Sequence, residues 1–236
     1  MSIAENVAKI RAQMEQAAKE AGRDPGEILL CAATKMNDAQ AVREAIAAGV
    51  DCCGENRVQE LTEKLKENAY DGAPVHFIGH LQTNKVKQVV GKVSLIQSVD
   101  SLHLLKAINQ EASRQGIKQD ILLEVNVGQE ESKSGFALEE IPQLLENIGI
   151  YSNVCVKGIM AIPPISQKNG DNLKYFQKIF RLSVDIEGKK YDNVKVDCLS
   201  MGMSNDFADA IYSGSTMIRV GTAIFGPRNY AAITQG

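Results

Sequence analysis

Short apolar runs alternate along the chain with stretches in which apolar residues return every three or four positions. The first such stretch is helical. Ser2 and Glu5 form a capping-box pattern, and Ile3, Val7, Ile10, Met14 and Ala17 follow at steps of four and three until Gly22. Next comes Ile28-Leu29-Leu30-Cys31-Ala32-Ala33-Thr34, too short for a typical helix and without the alternation of a strand that has one wet face. It reads as a parallel strand covered on both sides. Comparable runs lie at Val50–Cys53, Val75–Ile78, Val93–Ile96, Ile121–Val127, Val154–Ile159, Val194–Leu199 and Met217–Val220. Helical patterns separate them: Val42 and Ile46; Val58, Leu61 and Leu65; Val86 with Val89 or Val90; Leu105, Ile108 and Ala112; Leu138, Ile141, Leu144, Leu145 and Ile148; Leu173, Phe176 and Phe180; Phe207, Ala210 and Ile211.

Eight strand–helix repeats predict an α/β fold, a single (β/α)8 TIM barrel over residues 1–236 in which 1–22 form an additional leading helix packed on the barrel. Such barrels take about 250 residues. The 236 here suffice if the loops are short. An open doubly wound sheet is the rival architecture, but its G-x-G-x-x-G fingerprint after the first strand is absent. No linker or low-complexity tract divides the chain, and Asn169-Gly170-Asp171 reads as a turn ahead of a long helix.

Composition narrows the partners. With 44% hydrophobic and 23% charged residues the chain has the balance of a globular protein with a sizeable core. Lys and Arg number 26 against 29 Asp and Glu, a net charge of −3, so no summed positive field holds a polyanion and no nucleic-acid partner is expected. No apolar stretch approaches the ~18 residues of a membrane span, and the N-terminus lacks a signal-peptide pattern. The five cysteines show no C-x-x-C spacing and sit mostly in apolar runs, as in a reducing compartment. A cytoplasmic protein is expected, and a monomer, because the repeats account for most apolar positions without a spare face.

The reactive groups of a (β/α)8 barrel lie at the C-terminal ends of its strands. Lys35 follows the first strand, where partial desolvation would lower the amine's pKa and make it a nucleophile toward aldehydes. A strand-end lysine reaching for water is the plainer alternative. Glu55, Asn56 and Arg57 follow the second strand, Gly79 to Lys85 with His80 the third, and Met160 the sixth. Ser200-Met201-Gly202-Met203-Ser204 and Gly221-Thr222 follow the seventh and eighth, where barrels often build a phosphate site from backbone N–H groups and a hydroxyl. Each is also an ordinary turn sequence when taken alone. Arg219 could pair with an anion, donate to a ring nitrogen or form a structural salt bridge. His80 reads as structural rather than as a base, and no metal-ligand spacing, P-loop or G-x-S-x-G elbow is present.

Several of these motifs together resemble the pyridoxal 5′-phosphate (PLP) homeostasis proteins, the family once called proline synthase co-transcribed homologues. The matching stretches are Ala33-Thr34-Lys35, Gly54 to Glu60, His76 to Lys85, Ser132-Lys133-Ser134-Gly135, Gly158 to Ile162, Leu199 to Ser204 and Arg219 to Gly226. The resemblance implies a barrel like the N-terminal domain of alanine racemase with Lys35 as the Schiff-base lysine. It also implies that Ser200, Gly221 and Thr222 hold the phosphate, that Arg219 faces the pyridine nitrogen, and that Asn56, His80, Met160 and Met201 line the pocket. Two departures are modest: Met36-Asn37 follows the lysine where Thr-Lys is frequent, and the tail Asn229 to Gly236 lacks lysines found in some members.

A guanidinium at the ring nitrogen keeps that nitrogen neutral and weakens carbanion stabilisation, and the chain ends too soon after Gly226 to supply a second domain with an opposite-face base. The expected function is therefore a carrier that binds PLP reversibly, passes it to apo-enzymes in transient contacts and turns nothing over itself. The alternatives are a PLP-dependent amino-acid racemase or lyase with His80 or Tyr212 as second base, and a cofactor-free lysine aldolase acting on sugar phosphates. Lys133 could be a second acceptor for the aldehyde, though a solvated loop lysine is the simpler reading.

Overall fold

The computed structural model describes residues 1–130, 133–165, 168 and 170–227. Ser132, Asn169 and the tail from Asn229, all singled out in the sequence, lie outside the described residues. Eight parallel strands close into a barrel in sequence order: β1 (Leu29–Ala33), β2 (Cys52–Glu55), β3 (Val75–Phe77), β4 (Leu95–Val99), β5 (Gln119–Val125), β6 (Val154–Ala161), β7 (Val194–Ser200) and β8 (Met217–Val220). β8 returns to β1 with Arg219 opposite Cys31, which completes the ring.

Both strand faces are dry, which is why the strands read as unbroken apolar runs. Leu30, Ala32, Cys53, Phe77 and Ile121 pack outward into the shell of helices, whereas Cys31, Cys52, Leu95, Leu122, Met160, Cys198 and Met217 form a separate cluster inside the ring. The two sets differ by single residue steps along the strands, as pleating requires.

The helices are α1 (Ile3–Glu20), α2 (Ala39–Ala47), α3 (Val58–Lys66), α4 (Leu102–Gln115), α5 (Glu140–Glu146), α6 (Leu173–Lys189), α7 (Phe207–Tyr212) and α8 (Thr222–Phe225). The capping box of α1 forms: the Glu5 N–H donates to Ser2 Oγ and the Ser2 N–H to the Glu5 carboxylate. α1 buries Val7, Ile10, Met14, Ala17 and Ala18 and packs on α2, α7 and α8. Its Arg11 donates to Asp51 Oδ2 at 2.7 Å, and that oxygen also accepts the Leu30 N–H at 2.6 Å, which ties the helix to the first strand.

The helical pattern around Val86 resolves differently. Thr83–Gln88 is a single 3-10 stretch rather than an α-helix. Val86, Val89 and Val90 are all buried within little more than one turn before Gly91, at φ 73°, reverses the chain. Crowded β-branched residues in so short a span favour the tighter turn. Among the described residues, all five cysteines are free and no helix is long and apolar enough to cross a membrane.

Candidate functional site

Because the strands are parallel, their C-terminal ends share one rim, and a cavity of about 530 Å³ opens there. Lys35, Asn56, Arg219, Gly221 and Thr222 line it together, with Met203, Ser204 and Glu60. Alternation along β1 turns Cys31, Ala33 and Lys35 to the inside, and the two residues between them to the outside.

The turn that carries Lys35 is fastened mainly from outside the cavity. Thr34 donates its N–H to Gly54 O at 2.9 Å and its hydroxyl to Glu55 Oε2 at 2.9 Å. Glu55 is fully buried and also accepts from Lys64 Nζ at 2.7 Å, Tyr70 Oη at 3.1 Å and, on its other oxygen, the Asn56 N–H at 3.0 Å. Lys64 donates in addition to Thr34 O at 2.8 Å and stands 3.5 Å from Glu60. The other residue beside Lys35, Met36, sits in the left-handed region at φ 61°, and its N–H donates to Glu60 Oε2 at 2.6 Å. A β1–β2–α3 polar network therefore fixes the backbone on both sides of the lysine. Burial and the Glu55 charge push the Tyr70 phenol well above its ordinary pKa, so it stays a donor.

Across the ring, Arg219 is 5% exposed, and its guanidinium donates to Ser200 Oγ at 2.5 Å and to Ala161 O at 3.0 Å. Burial pulls the guanidinium below its ordinary value, while the nearby Cys31 and Glu124 oppose that shift. The Ser200 hydroxyl in turn donates to Gln97 Oε1 at 2.7 Å. The chain then turns at Gly202, φ 95°, where a Cβ would stand 2.6 Å from the Ala210 side chain. The Met203 N–H donates to Asp206 Oδ1 at 2.7 Å, which holds the loop so that Met203 and Ser204 border the cavity. Gly221 precedes α8, whose first N–H groups lack intrahelical acceptors.

The remaining candidates lie elsewhere. Ser200 is wholly buried beneath the cavity in the string joining Arg219 to Gln97. Met160 belongs to the cluster inside the ring and Met201 to the shell between strands and helices, each without exposed surface. His80 is exposed and keeps its Nδ1 3.0 Å from Asp100 Oδ2. It lines a neighbouring cleft of about 310 Å³ that shares Asn56, Ile78 and Ile162 with the main cavity and also includes Lys133. Lys133 pairs with Glu130. Tyr212, considered as a second base, instead donates its hydroxyl to Glu20 of α1 on the outer surface, where it lines no part of the cavity.

Four residues went unassigned in the sequence. Glu124 lines the neighbouring cleft, and burial with Asp100 nearby raises its carboxyl to about 7, against the opposing pull of Arg219. Its signal was a lone acid inside the apolar run Ile121 to Val127. Glu60 and Lys64 sit on one α3 face with Leu61, a charged pair on an apolar stripe. Ser204 stood in a quoted motif, but only the fold turns it, rather than Ser200, to the cavity.

An amine on the first strand and a glycine–threonine helix start on the last, brought to one rim, place the chain among barrels of the alanine racemase N-terminal type. The family model described as alanine racemase, N-terminal domain, matches residues 2–229. The pyridoxal phosphate homeostasis protein of Aquifex aeolicus (strain VF5) is 40% identical over 98% of this chain and 100% of its own. That of Pseudomonas aeruginosa PAO1 is 39% identical over 98% of each. Among solved structures, PipY of Synechococcus elongatus PCC7942 with PLP bound superposes with a TM-score of 0.82 at 30% identity, over 95% of this chain and 100% of that one. The chain belongs to the pyridoxal phosphate homeostasis protein family.

Proposed function

We propose that the protein binds PLP reversibly, with Lys35 as the covalent attachment point, and contributes to intracellular PLP homeostasis and delivery without turnover of its own. The observation that carries this reading is the meeting of Lys35, Arg219, Gly221 and Thr222 in one cavity. The cavity also suits the cofactor's chemistry. Asn56 Oδ1 is buried there without a hydrogen-bond partner among the described residues, an acceptor that a bound donor would satisfy. PipY, a relative matched over 95% of this chain and 100% of its own, has been solved with PLP bound.

PLP supplies an aldehyde and a pyridine ring that withdraws electrons best when its nitrogen is protonated. Lys35 Nζ would be the amine that holds the cofactor, reversibly, at its aldehyde. Gly221 and Thr222, with Ser204 as the hydroxyl of the β7 loop at the cavity wall, would hold the phosphate. Ser200, occupied by Arg219 and Gln97, orients the guanidinium instead. Arg219 only donates hydrogen bonds, so a ring nitrogen facing it stays unprotonated and carbanion chemistry is weak. Met160 and Met201 support this arrangement from below and behind.

Protein incubated with PLP should turn yellow, and Lys35→Ala should lose the visible band. Borohydride should fix the PLP mass on the peptide that contains Lys35; an adduct confined to another lysine overturns the assignment. Mixing loaded protein with an apo-enzyme should restore that enzyme's activity.

One observation favours a racemase or lyase as a second reading: Glu124, with a carboxyl near 7, stands in the cleft beside the cavity. If that reading holds, an amino acid exchanges its α-hydrogen into deuterium oxide and Glu124→Gln abolishes the exchange. Absence of exchange leaves the carrier.

A further inference from the structure

The sequence offers no metal-ligand spacing, yet the barrel brings three distant donors together below the cleft. Cys31 on β1 and Cys52 on β2 are register partners, and His76 stands on β3. One donor atom from each lies within 4.8 Å of the other two, and all three residues are buried. Small apolar filler would explain the thiols. It does not explain an imidazole inside a dry ring.

That imidazole is held by a neighbour. Gln97, itself fully buried, places its amide 2.9 Å from His76 Nδ1. Ligation through Nε2 requires the Gln97 amide to turn, so that its oxygen accepts from Nδ1–H and its nitrogen donates to Ser200 Oγ in place of the Ser200 donation described above; Nε2 is then left for an ion, the arrangement in which ligating histidines are commonly fixed. Two further sulfurs adjoin: Met217 Sδ lies 3.2 Å from the same amide, and Cys198 packs in the same cluster. In a tetrahedral zinc site with Zn–S near 2.3 Å, two sulfurs stand about 3.8 Å apart, so the donors need close by about 1 Å at most.

We propose that Cys31, Cys52 and His76 form a binding site for one zinc(II) ion inside the barrel, with a sulfur of the same cluster in the fourth position. Thiolate and imidazole donors select a thiophilic ion over magnesium or calcium. Zinc rather than copper(I) follows from charge: two thiolates and a neutral imidazole leave a divalent site with no net charge, the state that a dry interior tolerates. Binding forms bonds from zinc to the two thiolates, to one imidazole nitrogen and to the Met217 thioether sulfur in the fourth position, and it releases the two thiol protons to solvent. The ion would join the three strands that end at Lys35, Asn56 and His80.

The full-length chain, reduced and stripped with a chelator, is titrated with cobalt(II) as a spectroscopic probe, then with zinc(II). Expected are thiolate-to-cobalt charge-transfer absorption and intense visible bands saturating at one equivalent, two protons released per ion, and displacement by zinc. The bands should vanish in the Cys31→Ser/Cys52→Ser variant and persist in Cys155→Ser. Absence of thiolate charge transfer in the parent overturns the site, whether or not the double variant folds. Bands that survive in a folded double variant, or displacement by copper(I) but not by zinc, overturn it equally.

Discussion

Glu55 shows how much of the site depends on side chains that never reach the cavity. Its carboxylate accepts four hydrogen bonds, one of them from Lys64, and the same ammonium also holds Thr34 O. Lys64→Met leaves a buried carboxylate without its cation, a loss of ~3–5 kcal/mol. The urea midpoint should fall accordingly with the m-value unchanged, and PLP should dissociate faster because the Lys35 turn loosens. Glu124 gives a pH signature of opposite sense. A carboxyl held near 7 when folded and near 4.5 when unfolded binds more protons in the native state between those values. Stability therefore falls as pH rises from about 4.5 to 7, and the penalty is complete above 7. Glu124→Gln removes it, so the ligand-free variant should exceed the parent by on the order of 2 kcal/mol at pH 8, with the difference gone at pH 4. Thermal melts of both chains at the two pH values check this. That Lys35, Arg219 and Gly221-Thr222 stand at one rim was legible in the sequence because each lies within two residues of a strand's C-terminal end. Lys64 was not, since a lysine on a short helix says nothing of its direction until that helix is docked.

The strands show the same division between pattern and placement. All eight were legible as apolar runs, because burial on both faces removes the polar interruptions that blur a one-sided strand. Register was not legible, and register decides that Cys31 meets Cys52 and that Ser200 falls below the cavity while Ser204 borders it. The junction of the second and third strands depends on a missing side chain. A Cβ on Gly79 would stand 2.1 Å from Asn56 O, in backbone that has no rotamer to yield. Gly79→Ala should therefore cost ~1–3 kcal/mol by overpacking and displace Asn56 from the cavity wall. A chemical denaturation curve and a PLP titration measure the two effects, and an unchanged affinity would show that Asn56 does not touch the cofactor.

At the scale of the whole molecule, α1 belongs to the same body as the ring. It covers α7 and α8, and through Arg11 and Asp51 it reaches the β1 backbone. Met14→Ala, which opens space at that seam, should lower stability by ~2–3 kcal/mol. Far-ultraviolet and tyrosine signals should still report one coincident transition; a separate early phase in the helical signal would make α1 an appendage. The ring is also threaded by a polar string, from Arg219 through Ser200 and Gln97 to His76. Its consequence is optical. Gln97→Leu removes the acceptor of the Ser200 hydroxyl, and Ser200 in turn orients the guanidinium, so the change should alter the hue of the vitamin held at the mouth from a residue that touches no part of the chromophore.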